Sequence, residues 1–169
     1  LLYDGEYKQI KDNFGILTRG ALFALLLIYL ILVIQFHSFI QPLVIFLTIP
    51  LALIGSILGL LLFRQPLSFM AFIGMVSLTG LVIRNAILLI AFINDARARG
   101  LAVEEACEDA VERRFRPIIL SAVTATIGLV PLALSGSSLF VPLAIALIFG
   151  LLVATLLTMV IIPVVYHLL

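Results

Sequence analysis

The stretch Gly80-Leu81-Val82-Ile83-Arg84-Asn85-Ala86-Ile87-Leu88-Leu89-Ile90 decides how the chain is read. It sets a guanidinium and a carboxamide inside an apolar run that extends from about Phe69 to Ile93. Wound as a helix, that run crosses a bilayer core, and Arg84 lies about 14 Å from its C-terminal end. A charge at that depth costs at least about 2.5–3.5 kcal/mol. Arginine does not escape by releasing its proton, so a carboxylate, a ring of carbonyls or water in a cavity has to neutralise it. The alternatives to a charge in an ion pathway are a structural ion pair or a side chain that snorkels to the surface. The depth of Arg84 is unfavourable for snorkelling and favours the ion pathway.

Working outward, the whole chain reads the same way. Apolar residues make up 64% and charged residues 11% of it, with a mean hydropathy of +1.33, whereas a soluble domain carries about 25% charged residues. Five apolar stretches, at about 14–36, 43–63, 69–93, 117–134 and 140–165, are each long enough to cross about 30 Å as a helix. The predicted fold is an all-α membrane protein, a bundle of five transmembrane helices over residues 14–169. Residues 1–13 are polar and read as the tail of an upstream domain. The breaks carry turn chemistry at His37-Ser38 to Gln41-Pro42, at Arg64-Gln65-Pro66 and at Ser135-Gly136-Ser137-Ser138. Pro50, Pro131, Pro142 and Pro163 are expected to kink or end helices.

Residues 94–116 form the one long polar connector. Val103, Ala106, Cys107, Ala110, Val111 and Arg114 fall on one helical face, with Glu104, Glu105, Glu108, Asp109 and Glu112 largely opposite. This predicts an amphipathic helix that feeds into the fourth span at Pro117, with Gly100 as the break before it. Asp109–Arg113 and Glu112–Arg116 have the favourable i,i+4 order. Arg97, Arg99, Arg113, Arg114 and Arg116 are the densest basic cluster, which places the connector in the cytoplasm by the positive-inside rule. Five crossings then put the N-terminus outside and the C-terminus inside.

Small residues mark where spans can touch. Gly55 and Gly59 form a GxxxG pair, Ala146, Gly150, Ala154 and Thr158 recur every fourth residue, and Gly74 and Gly80 lie on the third span. Such positions let helix backbones approach in lipid. On the third span Gly74, Ser77, Leu81, Arg84 and Leu88 share a face, with Gly80 beneath the charge and Asn85 beside it. On the fourth, Ser121, Thr124 and Gly128 share a face within reach of Arg84. The competing reading is that these hydroxyls bond carbonyls one turn back in their own helix.

Every acidic residue is Asp4, Glu6, Asp12 or lies between Asp95 and Glu112, so no span carries a carboxylate. The counter-charge to Arg84, and any intramembrane group that readily binds and releases protons, must then come from another segment or chain. No nucleophile–base arrangement, phosphate loop or basic nucleic-acid patch is present, and no catalytic residue is assigned. His37 and His167 lack metal-ligand spacing, and the single Cys107 allows no intramolecular disulfide. The expectation is a non-enzyme with no cofactor and no metal.

Four stretches resemble the C-terminal membrane half of a resistance-nodulation-division efflux permease. They are Gln35-Phe36-His37-Ser38 with Pro42-Leu43 and Ile49-Pro50-Leu51-Ala52-Leu53-Ile54-Gly55; Ile73 to Leu88; Arg114-Phe115-Arg116-Pro117-Ile118-Ile119-Leu120-Ser121; and Gly128-Leu129-Val130-Pro131-Leu132 with Ile162-Pro163-Val164-Val165-Tyr166. The resemblance implies spans eight to twelve of a twelve-span, proton-driven exporter of drugs and other amphiphiles. It further implies a trimer in the Gram-negative inner membrane, joined to a periplasmic adaptor and an outer-membrane channel, with the proton gradient as its energy source. The family's relay joins two aspartates on the fourth span to a lysine on the tenth and a threonine on the eleventh. Here the lysine position reads Arg84 and the threonine position Ser121, with Asn85 and Thr124 nearby, and Arg114 matches a basic residue at the cytoplasmic mouth. The aspartates would lie in the N-terminal half. Because arginine holds its proton, only the carboxylates of such a relay would titrate. Heavy-metal exporters of the family carry an acidic residue on the tenth span; none is present here, which disfavours metal export. A non-transporting membrane scaffold and a lipid- or protein-export branch of the superfamily are the alternatives.

Overall fold

Among the described residues of a computed structural model, six helices make up the fold: α1 (Leu2–Phe36), α2 (Ile40–Phe46), α3 (Thr48–Leu62), α4 (Phe69–Ala98), α5 (Val103–Ala133) and α6 (Phe140–His167). The structure describes residues 2–167, and side chains from residue 12 to residue 166. Among the described residues there is no strand, and five stretches of helix are long and apolar enough to cross a membrane. The chain is thus an all-α protein with five membrane-length helical spans. Residues up to Pro42 form one compact unit and those from Leu43 a second.

In the first unit the polar residues read as the tail of an upstream domain are wound into the same helix as the first span. Gly5 and Gly15 weaken a helix without ending it, and no proline interrupts the run. α1 stops where His37 turns into the left-handed region at φ 49°. Ser38 Oγ then accepts a hydrogen bond from the Ile40 N–H, at 3.3 Å, as α2 starts.

The predicted second span is divided between α2 and α3. Pro50 has no N–H to return to the Phe46 carbonyl, and its ring crowds that oxygen. The helix therefore breaks around Leu47, and the Thr48 hydroxyl, donating to the Ile45 carbonyl at 2.6 Å, caps the break from inside. α3 ends in a Schellman turn, with the Gln65 N–H bonded back to the Leu60 carbonyl at 2.9 Å and Arg64 at φ 52°. The Ser68 hydroxyl starts α4 by accepting from the Ala71 N–H.

α4 runs to Ala98, past the end of its apolar run at Ile93, and closes at Gly100, whose φ of 92° is the conformation expected of the break. After Ala102 the amphipathic connector and the fourth span are one unbroken helix, α5, that passes straight through Pro117. The hydrogen bond that Pro117 cannot make would have gone to the Arg113 carbonyl. That carbonyl lies at the polar end of the helix, where water can serve it.

The second unit is built around α6, which packs against α3, α4 and α5, while α4 also packs against α3 and α5. Close approach comes from small residues. A Cβ on Gly55 would stand 2.6 Å from the Val153 Cβ, one on Gly59 would overlap the Phe149 side chain, and one on Gly74 would meet the Leu143 carbonyl at 3.1 Å. Gly150 receives Ser56 and Leu78 where α3, α4 and α6 converge. Ala154 is fully buried in a cluster with Ala52, Leu78, Val82, Ala122 and Leu151. Gly55, Gly59, Gly74, Gly150 and Ala154 thus stand at helix contacts.

Gly80 meets no neighbouring helix among the described residues. Nothing in the structure comes within 4 Å of where its Cβ would stand, because the face of α4 that carries it is the one α3, α5 and α6 leave open. Sequence reading also missed a buried polar tie at this junction: the Ser56 hydroxyl donates to the Ala146 carbonyl at 2.8 Å, joining α3 to α6. The signal was a serine beside the first glycine of a GxxxG pair, where the close approach brings a hydroxyl against the facing backbone.

Candidate functional site

Arg84 and Asn85 sit at the middle of α4 and point to different surroundings. Asn85 is only 8% exposed, between α4 and its neighbours, whereas Arg84 is exposed. Ser77, Gly80, Leu81 and Leu88 are exposed with it, so a stripe of α4 carrying the charge faces outward from the second unit. Gly74, read as part of that stripe, is instead turned against α6. The helix rotates by about 100° per residue, so a stripe drawn over four turns drifts off one face at its ends.

The packing of α4 on α5 brings Arg84, Asn85 and Ser121 together. With Leu81, Ala122, Ala125 and Leu151 they line a crevice of about 40 Å³, room for about one water. The Ser121 hydroxyl donates to the Ile118 carbonyl at 2.8 Å and the Thr124 hydroxyl to the Leu120 carbonyl at 2.8 Å. Both follow the back-bonding alternative in this state. A hydroxyl that donates to a carbonyl still has lone pairs to accept with, so Ser121 can take a hydrogen bond from water in the crevice. Thr124 does not line it.

Among the described residues no carboxylate lies within ion-pairing distance of Arg84. The nearest acidic residue in sequence, Asp95, is eleven positions on, about 16 Å further along the helix. The charge, the carboxamide and the hydroxyl therefore form a small polar cluster with no carboxylate beside it among the described residues.

Arg114 stands apart from this crevice, towards the polar end of the bundle. Its guanidinium carbon lies 4.6 Å from the centre of the Phe92 ring on α4, and its Nε is buried with no hydrogen-bond partner among the described residues. The predicted inner face of the connector explains this, since Ala106, Cys107 and Ala110 on the same side of α5 are all buried. Phe92 as a seat for the cation was not foreseen; it lies two turns beyond Arg84 on α4. Further out, Asp109 pairs with Arg113, as the i,i+4 spacing predicted, and also with Arg99 at 3.5 Å across the turn between α4 and α5. The second predicted pair, Glu112–Arg116, is not formed. The Tyr166 hydroxyl donates to Asn94 Oδ1 at 2.6 Å and ties α6 to α4 at the same end.

A sequence profile described as the AcrB/AcrD/AcrF family matches residues 3–169. The chain belongs to that family. The resemblance to resistance-nodulation-division efflux permeases is thereby borne out. Swarming motility protein SwrC of Bacillus subtilis is 40% identical over 98% of the chain, and multidrug resistance protein MdtC of Salmonella arizonae is 42% identical over 95% of it. Either match takes in 16% of the relative's own length, so the chain spans about a sixth of these proteins. Among solved structures, a heavy metal efflux pump superposes with a TM-score of 0.85 at 30% identity, over 97% of the chain and 16% of the pump. A second crystal form of such a pump gives a TM-score of 0.70 at 32% identity, over 89% of the chain and 16% of the pump.

Proposed function

We propose that the chain supplies the cationic side of an intramembrane proton relay in a proton-driven exporter of drugs or other amphiphiles. The observation that carries the proposal is Arg84: a permanent charge at mid-span, on an open face, beside Asn85 and Ser121, with no carboxylate in any span to answer it. The complementary carboxylates come from the N-terminal half of the permease. When they lose their protons Arg84 holds them as anions, and when they gain protons the attraction ends and the helices that carry the charges are free to shift. Arg84 does not exchange its own proton, so the carboxylates alone titrate.

Family membership and the MdtC relatives support export of amphiphiles. The similarity to heavy metal pumps supports the shared fold, and the apolar run of α4 from Phe69 to Ile93 carries no acidic residue, the absence that disfavours metal export. On this reading the chain is spans eight to twelve of a multi-pass inner-membrane protein of a Gram-negative cell, with the N-terminus on the periplasmic side and Asp95–Arg116 in the cytoplasm. The working unit is a homotrimer with a periplasmic adaptor and an outer-membrane channel, uses no cofactor and is not an enzyme.

The test is transport by the full-length permease in proteoliposomes loaded with a fluorescent amphiphile. An imposed pH gradient is expected to drive dye movement, and dissipating it with a protonophore to stop that movement. Dye transport that continues at the same rate without the gradient contradicts the proposal.

A further inference from the structure

Arg116 is a charge the relay does not use. It is exposed and, among the described residues, pairs with no carboxylate, although Glu112 is placed one turn before it and lines a neighbouring groove with it. Its depth follows from the register of α5 against α4. Arg114 stacks on Phe92, one residue short of the end of the apolar run of α4 at Ile93. Arg116, two residues further along α5, therefore has its backbone about 3 Å deeper, just inside the end of the apolar run, from which its long side chain reaches up to the phosphate level.

Directly beneath it runs a groove of about 600 Å³ along α5, lined by Phe115, Arg116, Pro117, Ile119, Leu120 and Val123. Arg116 is the one charged residue of that lining, and from it to Val123 the helix descends about 10 Å into the apolar layer. A cation at the mouth and an apolar trough below match the two parts of one kind of molecule.

We propose that this groove binds an anionic phospholipid, with the phosphate on the Arg116 guanidinium and the upper part of one acyl chain along Ile119, Leu120 and Val123. Charge complementarity selects the occupant: a free guanidinium that forks to phosphate oxygens, within side-chain reach of the phosphate level above a surface with no other polar side chain. The inference needs only that the helices span a bilayer, and does not depend on the proton relay.

The chain has no tryptophan, so Leu120→Trp creates a single reporter on the groove wall. Full-length permease with its native tryptophans replaced, and this one added, would be reconstituted in vesicles of dibrominated phosphatidylglycerol or dibrominated phosphatidylcholine mixed with unbrominated lipid. Quenching is expected to show about a fivefold preference for phosphatidylglycerol. Arg116→Gln is expected to remove the preference, Arg116→Lys to retain much of it, and Arg113→Gln, whose charge is already paired with Asp109, to leave it in place. Equal quenching by the two lipids overturns the proposal, as does a preference that survives Arg116→Gln. Absence of quenching by either lipid also overturns it, since another part of the permease would then cover the groove. Unchanged helical circular dichroism in each variant separates loss of binding from loss of fold.

Discussion

Replacing Arg84 by Gln in the full-length permease is expected to lower dye efflux at least about tenfold, while Arg84→Lys keeps part of it. The reasoning runs through the carboxylates that Arg84 faces. A cation within hydrogen-bonding reach lowers a carboxylate pKa by about 1–3 units, or about 1.4–4 kcal/mol between protonated and ionised states. Glutamine can still donate hydrogen bonds from its amide but cancels no charge, so a buried carboxylate beside it stays protonated at neutral pH and the cycle stalls. Lysine restores the charge as a point without the planar fork, and so restores the step in part. Efflux from cells at matched expression reads all three proteins. Normal pumping by the glutamine variant would make Arg84 a structural residue and move the proton path elsewhere.

The largest effect on the fold is expected at Gly150. A side chain there would collide with Leu78 and Ser56 and stand 3.2 Å from the Ala52 carbonyl, at a junction of three helices. Leu78 Cδ2 and Ser56 Oγ are side-chain tips, but both residues are fully buried with nowhere to turn, and the Ala52 carbonyl is backbone that cannot step aside. Gly150→Leu should force α6 away from α3, break the Ser56–Ala146 hydrogen bond and cost about 3 kcal/mol or more. Gly80→Ala is the control: with open space around it, it should leave this bundle as stable as before or slightly more so. Unfolding in mixed micelles, followed by circular dichroism, measures both, and a Gly150→Leu chain as stable as the parent would refute the packing described for α6.

Hydropathy made the five-span helical architecture legible, because only a helix satisfies its own backbone in lipid. The spacing of Gly55, Gly59 and Gly150 likewise disclosed helix contacts before their partners were visible. Local geometry was harder to read. That Pro50 breaks a helix while Pro117 leaves one intact depends on what else can serve the orphaned carbonyl, which composition does not encode. Ser121 illustrates a different limit: the sequence placed its hydroxyl near Arg84, but whether it bonds its own helix or its neighbour is settled by a rotamer. Gly80 and the open stripe of α4 mark the third limit. A small residue beneath a charge reads as a packing site, and the surface that would pack there is not among the described helices.

The most direct measurement of the central idea is the titration of the relay carboxylates in the full-length permease by difference infrared spectroscopy, in wild type, Arg84→Lys and Arg84→Gln. If Arg84 is their fixed counter-charge, the protonated carboxyl band persists to a pH about 1–3 units higher in the glutamine variant than in wild type, and the lysine variant follows wild type while its amine stays charged. The same carboxyl titration in all three proteins would contradict it.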